Sequence, residues 1–99
     1  MAYKLKTNKR FEKDLANIYE YIAENYGSIT ADGFVDKVDI KVRHLLQYPE
    51  FGRPSSQKYP IRKLNIAKYN KLYYRLANNQ IILIRILDDR KDPRKNKYE

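Results

Sequence analysis

The sequence predicts an α+β fold: an N-terminal strand, then an antiparallel helical hairpin packed on a three- to four-stranded antiparallel sheet. Three observations carry that reading. Two consecutive stretches place apolar residues at helical spacing, three later stretches have strand character, and very few residues separate the two helical stretches. At 99 residues the chain can build one hydrophobic core but not two, so residues 1–99 are expected to form a single domain.

Tyr3-Lys4-Leu5-Lys6 alternates apolar and basic residues, which predicts a short strand with one buried face. Thr7 or Asn8 is placed to cap the helix that follows. Phe11, Leu15, Ile18, Tyr19, Ile22 and Tyr26 form its core-facing stripe, with Lys9, Lys13, Asp14, Glu20 and Glu24 off it. Gly27 is expected to end this helix in a left-handed cap. A second helix, capped by Ser28 or Thr30 with Asp32 in its first turn, buries Ala31, Phe34, Val35, Val38, Val42 and Leu45. Gly33 costs roughly 1 kcal/mol in a helix relative to alanine, and close packing against the first helix would account for it.

Pro49-Glu50-Phe51-Gly52-Arg53-Pro54-Ser55-Ser56 has loop composition, and Phe51 is expected to tuck back onto the core. Strands are predicted over 62–66, 70–77 and 81–87, the last two joined tightly through Asn78-Asn79-Gln80 because Asn tolerates left-handed turn geometry. In the middle strand Leu72, Tyr74 and Leu76 point one way and Lys71, Tyr73 and Arg75 the other. The run Ile81–Leu87 is the most apolar in the chain and predicts a central strand buried on both faces. Arg85 inside it requires either a surface or a charge partner. After Leu87 the sequence turns abruptly to charge, ending regular structure at Pro93.

The net charge is +9, and it is unevenly placed. Residues 1–50 hold eight cations and eight anions, whereas residues 51–99 hold thirteen cations and four anions. A one-sided excess of this kind implies a polyanionic or acidic partner for that side. The lack of cysteine excludes disulfides and thiolate metal sites and fits a reducing cytoplasm. No secretion signal or membrane span is expected. His44, the sole histidine, stands in no nucleophile or carboxylate constellation and has the character of a structural residue. Nothing predicts a cofactor or a metal, and the loop carries no Gly-Lys-Ser/Thr element for phosphate binding.

Four segments in order resemble the RelE/ParE toxin superfamily: 14–22 resembles its first helix, 48–54 its signature loop, 69–75 its third strand, and 86–93 its closing strand with an Arg-x-x-Pro end. The resemblance spans nearly the whole chain. It implies the toxin half of a bacterial type II toxin–antitoxin pair, of the plasmid-stabilisation branch, neutralised by a cognate antitoxin. RelE-like members of that superfamily cleave mRNA on the ribosome without a metal, and ParE-like members poison DNA gyrase by binding it. Where several ribonuclease members keep a histidine after the last strand this chain has Asp88, and where RelE has a strand arginine it has Asn70. These departures favour a gyrase-binding toxin over an enzyme. The alternative is a ribosome-dependent endoribonuclease using Arg90 and Tyr98. A non-toxic basic nucleic-acid-binding module is a further alternative, although no RNP or Gly-x-x-Gly signature is present. The toxic or partner surface is expected at Arg75, Arg85, Arg90, Lys91 and Arg94.

Overall fold

The computed structural model describes residues 3–55, 60–88 and 90. Strand β1 (Lys4–Thr7) leads into α1 (Lys9–Tyr26) and α2 (Ser28–Gln47), followed by β2 (Arg53–Pro54), β3 (Arg62–Ala67), β4 (Asn70–Ala77) and β5 (Gln80–Asp88). The five strands form one sheet in the order β1-β5-β4-β3-β2. The α+β class and the helical hairpin over an antiparallel β3-β4-β5 unit are as the sequence predicts. The sheet also gains β1, which pairs parallel to β5, and the two-residue β2 at the opposite edge. Pro54 is tolerated there because an edge strand can leave one side of its ladder unpaired.

Asn8 caps α1, its side chain accepting from the Phe11 backbone N–H at 2.9 Å. Gly27, at φ +93°, joins the helices alone. Its N–H donates to the Ala23 carbonyl at 3.1 Å and its own carbonyl accepts from Ala31 N–H at 3.2 Å. Only glycine takes that backbone angle without strain. Because Gly27 is the junction, α2 begins at Ser28 and has no side-chain cap, contrary to the expectation for Ser28 or Thr30. Asp32 instead accepts from the Tyr19 hydroxyl at 2.8 Å, which ties the hairpin together and pushes the Tyr19 phenol above its ordinary pKa.

One core lies between the hairpin and the sheet, built on Phe11, Phe34, Val38, Val42 and Leu45 against Leu64, Leu72, Tyr74, Ile81, Leu83 and Ile86. Leu15, Ile18 and Ile22 pack at its margin. Tyr26 does not join the stripe; it flanks the Gly27 turn and is exposed, as is Ile29. Leu5 is exposed too, so the buried face predicted for β1 is limited to Tyr3, which packs on the core from the sheet's outer edge. Gly33 faces open space rather than α1, and close packing does not explain it.

The second sheet face carries a smaller cluster of Ile61, Tyr73 and Ile84, with Ile82 and Leu87 against it. Central β5 is thus apolar on both faces. Tyr73 is fully buried in this cluster, although it shares a strand face with Lys71 and Arg75. The Asn78-Asn79 turn has positive φ at both residues (51° and 61°), the geometry that matches the twist of a two-residue hairpin. The β4–β5 register shifts between Tyr73 and Tyr74, which face Arg85 and Leu83 and leave Ile84 as the extra residue of a bulge.

Candidate functional site

The bulge beside Ile84 bends the end of β5, and the next residue is Arg85. Its guanidinium meets Asp14 of α1 through two bonds, Nε to Oδ2 at 2.7 Å and Nη2 to Oδ1 at 2.9 Å. Asp14 Oδ2 also accepts from the Ile86 N–H at 3.2 Å. The two side chains are only 24% and 15% exposed. A charge in a packed strand is tolerable when paired and hydrogen-bonded in this way. Sequence reading placed Asp14 off the helical stripe, yet it lies three residues after Phe11 and four before Ile18, a spacing that puts it on the stripe's edge.

Five residues on, Arg90 occupies the surface. Its Nη2 donates to Asp88 Oδ2 at 2.7 Å, its Nε to Asp88 Oδ1 at 3.1 Å, and its backbone N–H to Oδ1 at 2.8 Å. The guanidinium carbon also stands 4.4 Å from the ring centre of Tyr69, and the Lys68 ammonium lies 5.3 Å from the same ring. Tyr69 reaches Arg90 because its neighbour Asn70 pairs with Asp88 across the β4–β5 ladder. The hydrogen bonds to Asp88 push the Arg90 pKa up, with desolvation opposing; the Asp88 charge and the Tyr21 and Tyr69 phenols also raise it. One end of the sheet therefore presents two cations at one tyrosine ring, with one carboxylate forked onto the arginine.

Arg75 is exposed on β4 but pairs with Ile82, six residues before Asp88 on β5. That places it roughly 20 Å along the strand from the Arg90 cluster. Arg85 adjoins the cluster but is turned to Asp14. Lys91, Arg94 and Tyr98 lie outside the described residues. The structure thus brings Arg90 together with Asp88, Tyr69, Lys68 and Tyr21, and does not gather Arg75 with them. Among the described residues, no group of three or more His, Asp or Glu side chains is placed to hold a metal ion. No helix among them is long and apolar enough to cross a membrane.

The loop after α2 is pinned to the sheet by two residues that sequence reading assigned only to strands. The buried Tyr74 hydroxyl donates to the Pro49 carbonyl and accepts from the Gly52 N–H, both at 2.8 Å. Arg62 Nη1 donates to the carbonyls of Gly52 at 2.7 Å and Glu50 at 3.2 Å. Phe51 is half-exposed and meets the edge of the His44 ring at 4.4 Å instead of entering the core. Burial, the largest influence, pushes the Tyr74 phenol above its usual value of 10, with the Gly52 N–H and Arg62 opposing. The unfolded chain therefore releases this proton first as pH rises. The stability supplied by protonated Tyr74 is complete below about pH 10 and falls above it. Tyr74→Phe is expected to cost about 1–3 kcal/mol at neutral pH by orphaning the Pro49 and Gly52 groups. It should also shallow the alkaline loss of stability, as read by urea unfolding at pH 7 and at high pH; equal alkaline slopes in the two proteins would contradict this assignment.

A basic α+β domain of this topology, with Arg90 and Lys68 gathered on Tyr69 beyond the closing strand, has the fold of RelE/ParE-superfamily toxins. Residues 5–93 match the family described as ParE toxin of type II toxin–antitoxin system, parDE, and the chain belongs to that family. Toxin ParE3 of Caulobacter vibrioides is 27% identical over 77 residues, covering 78% of this chain and 77% of that protein. A structure described as the chromosomal ParDE TA system from P. aeruginosa superposes with a TM-score of 0.75 at 22% identity, over 87% of this chain and 95% of that one. The YoeB/ParE toxin from Agrobacterium tumefaciens gives 0.65 at 16% identity, over 86% and 96%. At these identities the two structures bear on the fold alone.

Proposed function

We propose that this toxin inhibits growth by binding DNA gyrase rather than by cutting RNA, and that a cognate antitoxin neutralises it. The observation that carries the reading is the fork of Asp88 onto Arg90. A ribonuclease arginine must face the developing negative charge of a phosphorane with its donors free. Here a carboxylate already holds Nε and Nη2, and that same carboxylate would repel the phosphorane. A protein contact has no such conflict, since an arginine anchored over a tyrosine ring is a common central contact in interfaces.

In this reading Arg90, Lys91 and Arg94 contact the target, Arg75 extends the basic surface along β4, and Arg85 fixes the end of β5 that presents them. The antitoxin supplies a partly acidic segment, disordered alone, that folds across the basic half. The pairing of toxin and antitoxin in the family description and in the P. aeruginosa ParDE system supports this partner. Arg90→Ala is expected to weaken gyrase inhibition about tenfold or more, the loss usual for truncating a central arginine contact. When the chain is induced in bacteria, DNA replication should stop before translation. Translation stopping first would contradict the proposal.

A further inference from the structure

The pinned loop holds out aromatic side chains instead of hiding them. Tyr48 and Phe51 are 58% and 52% exposed, and both rings pack on His44, at 5.0 and 4.4 Å. With Tyr3, Gln47, Pro49 and Glu50 they line an open cleft of about 380 Å³. Four hydrogen bonds with Tyr74 and Arg62 fix the loop backbone, so these rings are presented in place before any partner arrives. Surfaces organised in advance lose less freedom on binding. The cleft lies at the other end of the sheet from Arg90, because Tyr3 precedes β1, whose Lys4 pairs with Gln80 at the start of β5.

The chemistry of the lining selects the occupant. Three aromatic rings offer electron-rich faces, and Glu50 is the one charged group among the lining residues. Arg62 reaches the Glu50 backbone carbonyl, not its carboxylate, and no ion pair engages that carboxylate among the described residues. In a chain of net charge +9 this cleft sets one carboxylate among aromatic rings, with the Arg62 guanidinium held on the backbone of the same loop. Such a combination suits a planar guanidinium, which stacks on rings and forks onto a carboxylate. We infer that the cleft is a binding site for an arginine side chain presented by a protein partner, separate from the Arg90 surface and independent of what that surface engages.

The test uses the whole chain and N-acetyl-arginine amide as the probe, following the ring resonances of Tyr3, Tyr48 and Phe51 by NMR. Saturable shifts at these rings are expected. Glu50→Gln should weaken binding about five- to tenfold, in line with losing a charged partner beside aromatic faces. Glu24→Gln, an exposed carboxylate on α1, should leave affinity unchanged. Phe51→Leu keeps the lining apolar but removes a ring, and should also weaken binding. Unchanged thermal unfolding of each variant shows that the fold is intact. Equal affinity for N-acetyl-norleucine amide, or equal affinity of the Glu50→Gln protein for the arginine probe, would overturn the inference.

Discussion

Asp14→Ala and Arg85→Ala are each expected to lower the unfolding free energy by about 2–4 kcal/mol, somewhat below the cost of breaking a wholly buried pair because both side chains keep some solvent contact. Removing Asp14 deletes the acceptor of three bonds, those from Arg85 Nε and Nη2 and from the Ile86 N–H. Removing Arg85 leaves a shielded carboxylate with one backbone donor. The combined change Asp14→Leu with Arg85→Met should recover part of the loss, since no charge is left unpaired and only the Ile86 N–H loses its acceptor. Urea midpoints of the two single variants and the double variant measure this directly. Single variants with wild-type midpoints would mean that the pair does not anchor α1 to β5. Because Arg85 lies five residues before Arg90, loss of toxicity in Arg85→Ala should follow loss of folded protein.

Gly52→Ala is expected to be comparably damaging for a steric reason. A Cβ there would stand 2.6 Å from both Cε1 and the hydroxyl of Tyr74 and 2.9 Å from the carbonyl oxygen of Lys63. Tyr74 is fully buried and the Lys63 oxygen is backbone, so neither can yield cheaply. Overpacking of this kind costs about 1–3 kcal/mol, occasionally more. For a domain near 100 residues that corresponds to a fall in Tm of roughly 5–20 °C. Gly33→Ala is the matched control. Nothing lies within 4 Å of its added Cβ, and it sits inside a helix, so the change should stabilise by about 0.5–1 kcal/mol. Thermal unfolding of the two variants should therefore move in opposite directions, and a neutral Gly52→Ala would show that the loop is not held against Tyr74.

Much of the fold was legible because it rests on periodicity. The stripes of α1 and α2, the two-faced apolar character of β5 and the Asn78-Asn79 turn all follow from residue spacing and backbone preference. What the sequence hid were partners distant in the chain. Asp14 and Arg85 are 71 residues apart, and Tyr74 and Pro49 are 25 apart. No local pattern announces such pairs, although Arg85 within an isoleucine-rich run did announce the need for one. The parallel pairing of β1 was hidden for the same reason, since four residues of alternation do not specify a neighbour. The Arg90 cluster was half legible: Arg90 and Asp88 are two residues apart in sequence, whereas Tyr69 and Tyr21 reach them only through the β4–β5 ladder and the placement of α1. The two-residue β2 was read as loop because Arg53-Pro54 carries no strand signal of its own.

The proposed action on gyrase, without RNA cleavage, is open to direct test. Purified chain should be added to a gyrase supercoiling reaction and, in parallel, to a ribosome-programmed translation reaction whose mRNA is then mapped by primer extension. Loss of supercoiling, relief of that loss by the cognate antitoxin, and no new cut sites in the mRNA are expected. Cleavage within ribosome-bound codons while supercoiling proceeds undisturbed would contradict it.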